Sequence, residues 1–313
     1  MKLIDMHCDT IFELMRRKGE SLKGNSLCIS LDYMKQAKSM AQFFACFLYA
    51  DEFGWDYTKG YEKALEMIAY AKKEFAENEG SIELALNYED LKKNESNGKI
   101  SAFLTIEEGG ILEGKIERLE HLFQEGIRLM TLTWNYENCI GYPNKMSGGL
   151  KAFGVEVVRK MNRLGMIIDV SHLSDDGFWD VLKYSSKPFV ASHSNARALC
   201  NHPRNLSDDM IKALAEKGGV MGINFYPYFI RESGSATIEN IVEHIQHIYQ
   251  IGGEDVIAIG TDFDGFDEGK SEISHLGQMD VVYDAIKRQG FTERQIDKIW
   301  NRNAMRVIKD GMR

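Results

Sequence analysis

The chain has 313 residues, of which 44% are hydrophobic and 27% are charged, and its formal net charge is -9 at pH 7. This composition is that of a folded globular protein rather than a disordered one. The acidic excess argues against nucleic acid and against an anionic membrane surface as partners, so we expect a small-molecule ligand.

Nothing in the sequence divides the chain, which has only 4 Pro and no Gly/Ser-rich linker, and we expect a single domain over residues 1–313. The longest apolar runs, such as residues 45–50, are far shorter than the roughly 20 residues of a membrane-spanning helix. The first strand begins too early to leave room for an export signal, which predicts a cytoplasmic protein. The 5 cysteines are scattered and predict neither disulfides nor a thiolate metal site. Whether the chain forms a homodimer stays open.

Short apolar runs alternate with helical patterns along the chain. Residues 3–9 form the first predicted strand, and residues 42–49 are a nearly continuous apolar run, typical of a strand buried on both faces. The short run 82–87 is treated as an additional strand. The remaining strands are predicted at residues 100–108, 127–134, 166–172, 189–193, 220–226 and 256–262, with helical patterns between them.

This alternation predicts an α/β protein with a parallel sheet. Eight repeats favour a closed (β/α)8 barrel, or TIM barrel, and no Gly-x-Gly-x-x-Gly motif follows the first strand to suggest a dinucleotide fold. In such barrels the functional residues sit at the C-terminal ends of the strands, all on one face. Histidine and acidic residues obey this rule here, and the set consists of His7, Asp9, Glu108, His172, His193 and Asp262.

Three imidazoles and three carboxylates are more ligands than one catalytic zinc takes. They suit two divalent cations, which lower the pKa of a shared water toward about 7 and polarise a carbonyl. The barrel is therefore expected to be of the metal-dependent hydrolase type. A carboxylate must bridge the cations, and Glu108 or Asp262 are the candidates. Glu107 competes with Glu108 because alternation turns only one of them inward, and Asp264 competes with Asp262 because both share a face.

Seven short motifs follow one another between residues 5 and 265. They are DMHCD at 5–9, IEEGG at 106–110, GIRLMTLT at 126–133, IDVSH at 168–172, ASHS at 191–194, PRNLSDD at 203–209 and GTDFDG at 260–265. In this order they resemble the membrane (renal) dipeptidase family of binuclear zinc peptidases, in its soluble bacterial branch.

The resemblance implies two Zn²⁺ ions as cofactors, although the ligands also suit other divalent ions. It implies cleavage of dipeptides with a free α-carboxylate, which the matching Arg204 would bind through its guanidinium group. By position, it assigns His7, Asp9 and Asp262 to one zinc, His172 and His193 to the other, and Glu108 to the bridge.

Position 134 departs from the family pattern. The resemblance assigns a histidine there to stabilisation of the oxyanion, whereas this chain has Trp134. An indole N–H donates a hydrogen bond but carries no charge, and loss of one oxyanion donor costs on the order of 10² to 10³ in rate. Asn135, Tyr136 or Asn138 could substitute, or Trp134 could be a pocket wall. The predicted substrate contacts are Arg204, Trp134, Asn135 and Tyr226.

The sequence thus predicts a zinc dipeptidase. A bridging hydroxide attacks the peptide carbonyl, Glu108 holds the two cations, and Asp262 carries the proton to the leaving amine. Two alternatives stay open. The first is a binuclear hydrolase of another small carboxylate-bearing amide, lactam or lactone. The second is a metal-binding barrel without catalysis, for which Trp134 is the only indication.

Overall fold

The structure, a computed structural model, describes residues 1–266 and 269–312. Its strands are short and mostly parallel. They are β1 (Leu3–Cys8), β2 (Ser39–Phe47), β3 (Ile82–Leu84), β4 (Ile100–Glu107), β5 (Ile127–Thr131), β6 (Ile167–Asp169), β7 (Val190–Ala191), β8 (Val220–Ile223), β9 (Ser235–Ala236), β10 (Ile257–Ile259) and β11 (Lys270–Ser271).

The main sheet closes on itself. Its ring runs β1, β2, β4, β5, β6, β7, β8, β10 with every pair parallel, and the pairing of β10 with β1 completes it. The predicted (β/α)8 barrel is therefore confirmed. Strand β3 pairs with the first residues of β4, on the edge that β5 occupies further along, so it is an addition to the ring. Strands β9 and β11 pair separately.

Helices connect the strands, and sequence signals set several of their ends. The hydroxyl of Ser174 accepts a hydrogen bond from the backbone N–H of Gly177, and Gly165, with φ 79°, ends the helix Ala152–Leu164. The helices are α1 (Thr10–Arg16), α2 (Leu31–Gln36), α3 (Tyr57–Glu77), α4 (Tyr88–Ser96), α5 (Ile116–Gln124), α6 (Ala152–Leu164), α7 (Asp175–Tyr184), α8 (Asp208–Glu216), α9 (Pro227–Ile230), α10 (Ile238–Gly252), α11 (Met279–Arg288), α12 (Glu293–Asp297) and α13 (Asn303–Gly311), with 3₁₀ turns at Ala50–Phe53, Gly109–Leu112 and Leu276–Gln278 and a π-helical turn at Lys298–Arg302.

One apolar cluster fills the interior of the barrel. Its rings of Phe43 and Phe103 stack with centroids 4.7 Å apart. Residues of α13 join the cluster, which therefore packs against the C-terminal helix and leaves the C-terminal ends of the strands to polar residues. Each barrel strand contributes to it, through Ile4, Phe43, Phe103, Leu129, Ile167, Val190, Val220 and Ala258.

Within residues 1–266 and 269–312, no helix has the length and apolar character that crossing a bilayer requires.

Candidate metal centre

Five barrel strands bring six titratable side chains, five of them buried and Asp262 partly buried, to one place at their C-terminal ends. Two come from the end of β1, one is the last residue of β4, and the others follow β6, β7 and β10. The six residues are His7, Asp9, Glu107, His172, His193 and Asp262.

The carboxylate of Glu107 lies between three imidazoles. Its Oε1 is 3.0 Å from Nε2 of His172 and 3.7 Å from Nε2 of His193, and its Oε2 is 3.1 Å from Nε2 of His7. The Nε2 atoms of His172 and His193 are themselves 3.1 Å apart. Imidazole nitrogens grouped around one carboxylate are ligand types that divalent cations such as Zn²⁺ bind.

His7 also faces two further carboxylates. Its Nε2 is 3.4 Å from Oδ2 of Asp9 and 3.7 Å from Oδ1 of Asp262. Within the described residues, Nδ1 of His7 and Oδ1 of Asp9 are buried without a hydrogen-bond partner. Buried polar atoms are normally satisfied, so these atoms fit a site whose partners are metal ions.

The prediction that Glu108 lies among the histidines is wrong, because Glu107 occupies that position. Glu107 is the last residue of the pleated strand, whereas the backbone at Glu108 has φ 94° and turns its carboxylate away. Glu108 accepts hydrogen bonds from the backbone N–H groups of Gly110 at 2.6 Å and Trp134 at 3.0 Å and from the amide of Asn138 at 2.6 Å. A Cβ on Gly110 would lie 2.3 Å from the Glu108 carboxylate, so the glycine there serves this turn rather than a metal.

Two strands end before the residues predicted for them, because the backbone turns into the left-handed region at His172 and Asp262. His172 has φ 68° and Asp262 has φ 62°, and both lie beyond the last hydrogen-bonded residues of β6 and β10. The predicted strands 166–172 and 256–262 were therefore too long. Such conformations are uncommon for residues other than glycine, and they concentrate where function fixes the side chain. Asp264, with φ 66°, is bound instead to the Thr10 hydroxyl and the Cys28 N–H.

A polar relay orients His193. The Ser192 hydroxyl lies 2.6 Å from Oδ2 of Asp169 and 2.7 Å from Nδ1 of His193. If the hydroxyl donates its hydrogen bond to the carboxylate, it accepts a hydrogen bond from Nδ1–H of His193. The lone pair on Nε2 of His193 is then available to a cation. Sequence reasoning missed Asp169 and Ser192, although both are polar residues within otherwise apolar strand segments.

Two amides orient the neighbouring groups. Oδ1 of Asn135 lies 3.2 Å from Nδ1 of His172, which directs the opposite ring nitrogen toward Glu107. The amide of Asn224 donates to Oδ2 of Asp262 at 2.8 Å. The sequence predicted Asn135 as a substrate contact and gave no sign of Asn224, whose role depends on the pairing of β8, which it follows, with the neighbouring strand β10.

Burial and mutual charge shift the acid groups of the cluster. Burial, together with the charge of Glu107, raises the pKa of Asp9 to about 7 and that of Asp262 to about 6. Burial opposes the ionisation of Glu107, but the facing His7 and His172 lower its pKa below the ordinary range. Glu107 is therefore the carboxylate that keeps its charge most firmly.

The imidazoles divide into two kinds. Burial, and then the charge of Arg204, lowers the pKa of His172 to about 4. Burial and the facing His7 lower the pKa of His193 well below its usual range. Both rings are thus neutral near pH 7, the form that binds a metal. At His7, burial by itself would lower the pKa of the imidazole. The charges of Glu107 and Asp9 outweigh it and raise that pKa well above its usual value.

Two cavities meet at the cluster. The metal cavity, about 720 Å³, contains Asp9, Glu107 and Asp262 and is walled by Trp134. The arginine cavity, about 460 Å³, contains Arg204. Both are lined by the same four residues at their junction, which are Asn135, His172, Tyr226 and Phe229. The structure therefore brings all four predicted substrate contacts to the two cavities.

Arg204 is buried, with 3% of its surface exposed. Its Nη1 donates to the Ser194 hydroxyl at 3.3 Å and its Nη2 to the carbonyl of His193 at 3.1 Å, while Nε has no hydrogen-bond partner among the described residues. No Asp or Glu in the described part of the chain forms an ion pair with it. A buried guanidinium without an ion-pair partner in the described residues is suited to an anionic ligand.

Comparisons with known proteins give a consistent picture. A family model described as Membrane dipeptidase (Peptidase family M19) matches residues 1–312. An uncharacterized protein in the pqqA 5' region of Klebsiella pneumoniae is 32% identical over 257 residues, which cover 78% of this chain and 94% of that protein. An uncharacterized dipeptidase of Schizosaccharomyces pombe is 30% identical over 335 residues, covering 98% of this chain and 80% of the relative.

Solved structures share the fold. A metallopeptidase of family M19, dipeptidase AC, superposes with a TM-score of 0.92 at 23% identity and covers 100% of this chain and 99% of its own. A metallopeptidase from Rhodobacter sphaeroides, liganded with a phosphinate mimic of the dipeptide L-Ala-D-Ala, gives a TM-score of 0.91 at 23% identity, with 99% of both chains covered. At this level of identity the likeness establishes the barrel.

Proposed function

The chain belongs to the membrane dipeptidase family, peptidase family M19, and from that premise we propose that it is a metal-dependent dipeptidase acting on dipeptides with a free C-terminal carboxylate. The observation that carries the proposal is the position of Glu107, whose two oxygens face three imidazole Nε2 atoms within 3.7 Å on the floor of a cavity.

Glu107 is the proposed carboxylate shared by two divalent cations. His7, Asp9 and Asp262 would hold one cation, and His172 and His193 the other. Imidazole and carboxylate ligands suit Zn²⁺, and the three carboxylates offset three of the four positive charges. Two such cations, when bound, lower the pKa of a water and polarise the scissile carbonyl.

Arg204 is the proposed anchor for the α-carboxylate of the substrate. Its buried Nε without a partner, and the lack of any ion pair to it in the described residues, leave its charge available to a ligand in the arginine cavity. A carboxylate bound there would form charge-assisted hydrogen bonds with the buried guanidinium, and the metal cluster would lie next to the peptide bond.

Asp262 is the proposed proton carrier. Asn224 fixes its Oδ2, and its Oδ1 faces the cluster at 3.7 Å from Nε2 of His7. Asn224 thus fixes the carboxylate where Oδ1 faces the cation site, and the carboxylate can accept the proton of the attacking water and deliver it to the leaving amine. Glu108, which bonds to Gly110, Trp134 and Asn138, has a supporting role in this proposal and no catalytic one.

The proposal is tested with protein reconstituted with Zn²⁺ and a library of L,L and L,D dipeptides, each paired with its C-terminal amide. We expect cleavage of dipeptides with kcat/KM at least about 10²-fold above that of the amides, because a buried charge left unpaired rejects the analogue that lacks its partner. Failure to cleave any dipeptide contradicts the proposal. Equal cleavage of acid and amide contradicts the role of Arg204.

A further inference from the structure

We propose that the metal cavity contains a subsite for a large apolar or aromatic side chain on the amino-terminal residue of the dipeptide, with Trp134 at its centre. The inference rests on the dipeptidase function proposed above and narrows its substrate class. The subsite, here called the aromatic wall, consists of Phe12, Phe47, Tyr49 and Trp134.

The aromatic wall is a contiguous set of rings that line the metal cavity. The indole of Trp134 meets Phe47 edge to face at a centroid distance of 5.0 Å and Tyr49 at 5.6 Å. Phe12 extends the set, 5.1 Å from Phe47. Phe47, Tyr49 and Trp134 are only partly buried, so ring surface is available to a ligand. Edge-to-face geometry of this kind also accommodates a further aromatic ring.

The position of the wall relative to Arg204 decides which end of the substrate it contacts. Arg204 lines the arginine cavity, whereas the four wall residues line the metal cavity, and His172 lies at the junction. A dipeptide with its carboxylate on Arg204 and its peptide bond at the cluster must extend its amino-terminal residue into the metal cavity. The wall therefore faces the first side chain and not the second.

The charged groups around this cavity offer little to a charged side chain, because they already have partners. Arg17 donates to Glu13 through Nε at 3.2 Å and Nη2 at 3.1 Å, and Arg16 lies 3.3 Å from the same carboxylate. The Asp264 carboxylate accepts from the Thr10 hydroxyl and the Cys28 N–H. A charged side chain would lose water without gaining an unpaired counter-ion.

The wall is supported by neighbouring contacts and has room beside it. The backbone N–H of Trp134 donates to Oε2 of Glu108, and its ring also contacts Tyr136 at 5.3 Å. A cavity of about 720 Å³ is within the range that accommodates drug-sized ligands, more than a dipeptide of two small residues requires. Pre-positioned rings next to free volume favour a bulky apolar group, since little ordering is required on binding.

The test compares L-dipeptides that differ only in the first residue, Gly-Ala, Ala-Ala, Leu-Ala and Phe-Ala, with the Zn²⁺-loaded full chain. We expect kcat/KM for Phe-Ala to exceed that for Gly-Ala at least about tenfold, since even one methylene in an apolar pocket is worth about tenfold or more. In Trp134→Ala we expect this ratio to fall by about tenfold, and in Trp134→Phe to be largely retained.

Trp55→Ala is the matched control, because Trp55 is 47% exposed and does not line the metal cavity. Its ratio should equal that of the wild type, and thermal denaturation should show that each variant is folded. Tyr49→Ala gives a second test of the wall if Trp134→Ala does not fold. Equal kcat/KM for Gly-Ala and Phe-Ala, or an unchanged ratio in Trp134→Ala, would overturn the inference while the dipeptidase function stands. No cleavage of any dipeptide would overturn both.

Discussion

The adjacent pair Glu107 and Glu108 permits a sharp test, because the same chemical change at two neighbouring positions should have opposite consequences. In Glu107→Gln the charge between three imidazoles is removed while the shape is kept. Two unit charges about 4 Å apart at an effective dielectric constant of about 20 interact by about 4 kcal/mol. We therefore expect metal affinity to fall by at least about 10³-fold and turnover to be lost.

In Glu108→Gln the expected effect is on stability. One amide oxygen can still accept from Gly110 and Asn138, but the amide NH₂ then faces the N–H of Trp134, and two donors oppose each other. An unsatisfied buried donor costs about 1–3 kcal/mol of unfolding free energy. Metal retention should change by no more than the 10- to 100-fold typical of groups outside the ligand set.

The assay is elemental analysis after dialysis against a graded series of chelator concentrations, with denaturant unfolding of the metal-free proteins alongside. Loss of metal from the Glu108 variant with retention by the Glu107 variant would refute the assignment of the bridge. Equal behaviour of the two variants would show that the turn at residue 108 does not separate their roles.

Three further predictions follow from contacts around the cluster. Ser192→Ala, which breaks the hydrogen bond to His193, should lower metal affinity by about 10- to 100-fold in a chelator competition, and an unchanged affinity would exclude the relay. Arg204→Ala should raise KM for dipeptides by about 10²-fold and leave the dipeptide amides unaffected, which steady-state kinetics would show. Burial lowers the pKa of His244 to about 4, against about 6.5 when unfolded, so the unfolded chain binds the extra proton and stability falls as pH drops from 6.5 to 4. That loss in the free energy of unfolding should reach roughly 3 kcal/mol. It should be absent in His244→Asn, whose amide oxygen can still accept a hydrogen bond from the Ala196 N–H. Parallel curves of unfolding free energy against pH for the two proteins would contradict the prediction.

Local sequence patterns were sufficient to predict the barrel and five of the six residues of the candidate metal centre. Alternating apolar runs and helical patterns specify a parallel ring because each strand must be covered on both faces. The ends of those runs carried His7, Asp9, His172, His193 and Asp262, and the structure brings all five together. Topology alone places such residues on one face of a barrel.

Other features depended on the folded backbone. Glu107 and Glu108 are adjacent, so a difference of one residue decides which carboxylate points into the barrel. The two-residue alternation of a strand predicts facing within the strand but not the residue at which the strand ends. The φ of 94° at Glu108 decides it, together with hydrogen-bond donors from a loop that follows β5.

The sequence by itself determined the kind of fold and which residue types meet, since both follow from periodicities within each segment. Tertiary structure alone decided which glutamate faces the histidines, which nitrogen each imidazole presents, and that Phe12, Phe47, Tyr49 and Trp134 share one cavity wall. These features depend on contacts between segments far apart in the chain, and no local pattern records the distance or orientation of such contacts.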